Sequence, residues 1–102
     1  MLEIRPNCEY CDIDLAANSA DARICSYECT YCRQCVEQIL HNVCPNCGGG
    51  FVARPIRPLS ARREGVSLTD QPASTHRVYG KYSEDEISQF ASRIRNIPPV
   101  DR

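Results

Sequence analysis

Eight cysteines crowd into forty positions of this 102-residue chain, at Cys8, Cys11, Cys25, Cys29, Cys32, Cys35, Cys44 and Cys47, and none follows. Their spacing is C-x2-C-x13-C-x3-C-x2-C-x2-C-x8-C-x2-C. The run opens and closes on a CxxC pair, a spacing at which one tight turn sets two sulfurs on the same side of a metal. In the last pair Pro45 fixes the backbone early in the turn, and Gly48 permits the positive φ that such a turn uses to end. An even count of cysteines also admits disulfides, but these need an oxidising compartment. The segment Met1–Pro6 has neither the apolar stretch nor the cleavage site of a secretory signal, and no apolar run approaches the roughly 18 residues of a membrane span. The expectation is a cytoplasmic, metal-binding chain with no membrane segment.

Eight thiolates complete two tetrahedral shells with no open position, which is the mark of a structural rather than a catalytic site. Iron–sulfur clusters also take four cysteines, and Cys29-x2-Cys32-x2-Cys35 resembles part of a ferredoxin run. It lacks the closely following fourth cysteine with its proline. Two Zn2+ ions are therefore expected. His41 and His76 are surplus to that count and read as surface residues. The spacing leaves two divisions open: a sequential one (Cys8, Cys11, Cys25, Cys29 and then Cys32, Cys35, Cys44, Cys47), and an interleaved one (Cys8, Cys11, Cys32, Cys35 against Cys25, Cys29, Cys44, Cys47). Large apolar residues are few in this half, chiefly Leu2, Ile4, Ile24, Val36, Ile39, Leu40 and Val43, so the fold must lean on its metals.

Around the ligands, Leu2–Arg5 alternates apolar and polar residues as a short strand does, and residues 12–22 read as a loop. Gln34–Asn42 carries Val36, Ile39, Leu40 and Val43 at helical spacing, and Phe51–Val52 reads as a returning strand. Arg54-Pro55-Ile56-Arg57-Pro58 favours extended backbone. The chain divides into a metal module (1–58), a polar linker of disordered character (59–82), an amphipathic helix (83–97) and a tail (98–102). Ser83 and Glu86 form a capping box, and Ile87, Phe90, Ala91 and Ile94 share one face. Such a helix is marginal alone. Its apolar face needs the module, a second copy docking through Glu84–Arg95, or another protein.

Charge narrows the choice of partner. Residues 1–50 carry three basic against seven acidic side chains, and residues 51–102 carry nine against six, for a formal net charge of −1. Two tetrathiolate zinc centres, each of net −2, would take the first half to about −8. That surface repels phosphate and argues against nucleic acid. The cluster Arg54, Arg57, Arg62 and Arg63 is the one feature that favours nonspecific nucleic-acid binding.

The order of eight ligands, the variable loop after the second, the short helix between the sixth and seventh, and the proline in the last pair resemble the RING finger. That resemblance implies the interleaved cross-brace: Cys8, Cys11, Cys32, Cys35 at one zinc and Cys25, Cys29, Cys44, Cys47 at the other. The fold class expected is thus a small zinc-stabilised α+β module, RING-like or treble-clef, with a C-terminal amphipathic helix. A second resemblance covers residues 1 to about 58. The strings LEIRPNCEYCDIDL, DARICSYECTYCRQC, VCPNCGG and RPIRP are similar to a family of short bacterial cysteine-rich proteins of unknown function, which implies a bacterial source and no particular activity.

The function expected is non-enzymatic binding of an unidentified protein partner. Ubiquitin-ligase-like activity follows from the RING resemblance alone. Against it, Glu9 and Tyr10 fill the first pair where such ligases use an apolar residue, and Gly48 stands where they often carry arginine. Redox sensing by zinc thiolates is a further alternative. No catalytic Ser/His/Asp set, phosphate loop or acid/base pair is recognisable.

Overall fold

A computed structural model describes all of residues 1–102. Three short strands, β1 (Ala22–Ile24), β2 (Thr30–Cys32) and β3 (Val52–Ala53), form an antiparallel sheet in the order β2-β1-β3. Ala22 pairs with Cys32 and Ile24 with Thr30, so Cys25–Cys29 is the hairpin turn itself. Glu28 closes that turn with φ 67. Thr30 and Tyr31 suit a pleated, buried strand. Their side chains are fully enclosed, and Tyr31 meets Phe51 edge to face at 5.4 Å.

After β2 the chain enters one helical turn, α1 (Arg33–Cys35), and continues as a wider π-helical turn over Val36–Leu40. The helix expected over Gln34–Asn42 is therefore shorter and wider than its spacing implies. His41 and Asn42 both take left-handed backbone, φ 50 and 59, which ends the helix and turns the chain toward Cys44. Leu40 and Val43 are buried beneath it. Leu2–Arg5 is not a strand. Ile4 is buried there, and the first ladder contact is an isolated bridge between Asn7 and Asp14. An alternating pattern in so short a segment marks which side is buried without supplying a partner strand. The returning strand falls at Val52–Ala53, one residue later than expected.

Residues 59–82 contain no helix or strand, and parts of them lie along the module. Ser74 N–H donates to Ile4 O, and Arg77 pairs with Asp12 and Asp14. The second helix, α2 (Glu84–Ile94), begins with the capping box formed in both directions between Ser83 and Glu86. It lays Ile87 and Ala91 against the module, where both are buried. Ser83→Ala leaves one N-terminal amide without its acceptor and is expected to cost about 1 kcal/mol. Faster amide exchange over residues 84–88, with the module's own amides unchanged, is the readout. The chain ends by folding back: Arg102 donates to Asn42 O at 2.7 Å and Gly48 O at 3.1 Å.

Candidate metal centre

Two cysteine groups form inside this frame. Cys8, Cys11, Cys32 and Cys35 bring their four sulfurs within 4.8 Å of one another, and so do Cys25, Cys44 and Cys47. Cys29 lies beside the second group and receives a hydrogen bond from Asn46 Nδ2 at 3.4 Å. The structure therefore draws together the Cys8 and Cys32 pairs, with the Cys25–Cys29 turn and the Cys44 pair in the other group. Neither group contains a histidine.

Each knuckle is built the same way. Asp12 N–H bonds back to Cys8 O at 2.9 Å, and Gly48 N–H to Cys44 O at 2.7 Å. The residue that closes each turn is left-handed, Asp12 at φ 66 and Gly48 at φ 79. Aspartate tolerates that conformation better than most residues, and glycine adopts it freely. At Gly48 a Cβ would meet Ile94 and Phe90 at 3.6 Å, an ordinary contact, so the backbone and not the space demands glycine. Gly48→Ala is expected to lower stability by about 1–2 kcal/mol, read as a drop in melting temperature with metal content unchanged.

The donor set fits a metal ion. All eight cysteines are free thiols. Cys11 Sγ and Cys32 Sγ are 3.8 Å apart. That is far beyond a disulfide bond of about 2.05 Å. It matches the edge of a tetrahedron whose metal–sulfur bonds are about 2.3 Å, which is about 3.8 Å. Amide hydrogens already point at the sulfurs: Tyr27 N–H at Cys25 (3.3 Å), Cys35 N–H at Cys32 (3.5 Å) and Gly49 N–H at Cys47 (3.4 Å). Donors of this kind stabilise thiolate charge.

Without metal the thiols share protons unequally. The hydrogen bond from Cys44, with help from Asn46, holds Cys29 down to about 5. Cys44 moves the other way, held protonated by that same bond and by burial, and burial pushes Cys25 up to about 11. Burial likewise raises Cys35. A divalent ion replaces those protons and removes the mutual repulsion of the sulfurs.

Three features of the site escape the sequence. Tyr31 is buried in one core with cysteines of both sulfur groups, and its hydroxyl has no hydrogen-bond partner. Glu9 is buried, ion-paired to Arg5 at 2.7 Å and accepting Thr30 N–H, so it ties the first knuckle to β2. Burial raises its carboxyl pKa against the pull of those two donors. The opposite charges at Arg5 and Glu9, four positions apart, were the available signal. Lastly, Arg54 and Arg57 do not form a free basic cluster with Arg62 and Arg63. Arg54 is buried, donating to Arg5 O and Ala16 O, and Arg57 donates to Leu2 O and Gln71 O. Both arginines serve as internal clamps on backbone carbonyls. His41 and His76 stay outside both sulfur groups.

The model of the family described as "Protein of unknown function (DUF1272)" matches residues 1–57, more than half the chain. The chain belongs to this family. An uncharacterized protein of Rhizobium meliloti (strain 1021) is 54% identical over 78 residues, covering 76% of this chain and 86% of the relative. The likeness thus reaches past the residues that the DUF1272 model matches. No solved structure matches the chain. The DUF1272 match includes every ligand candidate and both arginine clamps. No helix in the fold is long and apolar enough to cross a membrane.

Proposed function

We propose that this DUF1272 chain is a non-enzymatic protein-interaction module whose fold is stapled by two structural zinc ions in a RING-like cross-brace. The observation that carries the reading is the gathering of Cys8, Cys11, Cys32 and Cys35 in one group and Cys25, Cys44 and Cys47, with Cys29 alongside, in another. Cys29 is the fourth ligand of the second ion. All-thiolate donor sets of four suit zinc, and full shells leave no position at which a substrate or an activated water can bind. The metals then organise a surface, and recognition is what remains for such a scaffold to do. Acidic charge on the metal-bound half directs that recognition toward cationic protein segments and away from nucleic acid.

Native mass spectrometry of the purified protein tests the metal half of the reading. Two zinc ions per chain and a colourless solution are expected; a brown protein with iron and labile sulfide would overturn it. Affinity capture tests the rest. The metal-loaded chain is expected to retain one protein in stoichiometric amount and to lose it on chelation, and a loaded chain that retains none removes the interaction role.

A further inference from the structure

Residues Ser74–Gly80 follow the first knuckle in parallel, and each contact along the way asks something specific of the segment. Ser74 N–H donates to Ile4 O at 2.9 Å, and Gly80 N–H to Glu9 O at 2.6 Å. Between them the Asn7 amide grips one residue from both sides, accepting Val78 N–H at 3.2 Å and donating to Val78 O at 2.9 Å. Asn7 is 0% exposed, so a wholly buried side chain does the work of a neighbouring strand. This is main-chain recognition without regard to side chain.

Two positions are read by identity. Arg77 lays its guanidinium on the first knuckle: Nε and a terminal nitrogen reach Asp12 Oδ1 at 3.1 and 2.7 Å, the same nitrogen reaches Asp12 O at 2.7 Å, and the other reaches Asp14 Oδ1 at 2.6 Å. A planar fork fills that set of acceptors, and a lysine ammonium does not. Three residues on, a Cβ at Gly80 would stand 3.1 Å from Glu9 O, so only glycine seats there without a shift.

We propose that the first knuckle is a recognition site for extended protein segments of the form Arg-X-X-Gly, which the chain's own residues 77–80 fill in cis. This rests on the interaction-module reading and names the chemistry of its partner. The contacts that hold the tail are of a kind that another chain reproduces. Arg77, Asp12 and Asp14 keep 35%, 42% and 85% of their side chains exposed, so the ion pairs are weak. Tyr79 points largely to solvent, and residues 59–73 tether the segment without a helix or strand. The tether gives the tail a high effective concentration, which a competing segment must overcome.

The test uses the full, zinc-loaded chain and a fluorescent peptide copying residues 74–82, followed by anisotropy. Arg77→Ala weakens the resident tail, and this variant is expected to bind the peptide at least tenfold more tightly than the wild type. Gly80→Ala opens the site by a second route and should do the same. Adding Asp14→Asn to Arg77→Ala should cost about threefold, the scale of one exposed ion pair, and a peptide with lysine in place of its arginine should lose about tenfold. Zinc counts of two per chain in every variant separate this test from the failure of the zinc reading. Equal binding by the wild type and both opened variants, or equal binding of the lysine peptide, would overturn the proposal even if the loaded chain captures a partner elsewhere.

Discussion

On the two-zinc reading proposed above, chelation at neutral pH is expected to unfold residues 1–57 and to release α2 with them. Six of the twelve residues in the hydrophobic core are cysteines from the two sulfur groups. Their packing depends on thiolates gathered at about the van der Waals distance, which no apolar contact offsets once the ions are gone. Each structural zinc contributes roughly 10–16 kcal/mol to folding. Whole domains are commonly stable by only about 5–15 kcal/mol, so losing either ion removes most or all of the margin. Ile87 belongs to the same core, and an eleven-residue helix detached from it is marginal in water. The far-UV circular dichroism should therefore lose both sheet and helix signal in one transition, and readdition of zinc should restore it. An unchanged spectrum after confirmed metal loss would refute this account of the fold.

Cys35→Ser is expected to empty both sites, not one. The two groups alternate along the chain: the Cys8 pair, then the Cys25–Cys29 turn, then Cys32 and Cys35, then the Cys44 pair. Strand β2 runs from the residue after Cys29 to Cys32, so one rigid element joins the two groups. Glu9 reinforces this link through Thr30 N–H. Loss of one buried ligand at the first group frees β2 and the turn at its start, which disorders the second group. Metal content is expected to fall from two ions to fewer than one. Amide protection around Cys44–Gly48, distant in sequence from the substitution, should collapse with it. Retention of one full equivalent would mean that the sites are independent, as separate fingers would be.

The paired cysteines were legible because cysteine spacing reports local geometry. A CxxC turn needs only its own four residues and the one that follows, and the positive φ at Gly48 is read directly from the residue type. Asp12 closes the other knuckle in the same conformation, and aspartate alone does not signal it. The capping box at Ser83 and Glu86 is equally local, and it forms as its spacing implies. Strands β1 and β2 were less visible, since three residues are too few to show a period; only their pairing across the Cys25–Cys29 turn makes them strands.

Arginine chemistry depended on what the fold brings near. Arg54, Arg57 and Arg77 look alike as sequence, three cations in a polar stretch. In the structure the first is buried on backbone carbonyls, the second pins the N-terminus, and the third lies across two aspartates some sixty residues earlier. By itself the sequence determined that CxxC turns present paired thiols and that an amphipathic helix follows, because both depend on contacts between near neighbours. Which cysteines stand together, where α2 seats and what Ser74–Gly80 lie against were decided by the tertiary structure. Those are contacts between distant segments, and no residue spacing specifies them.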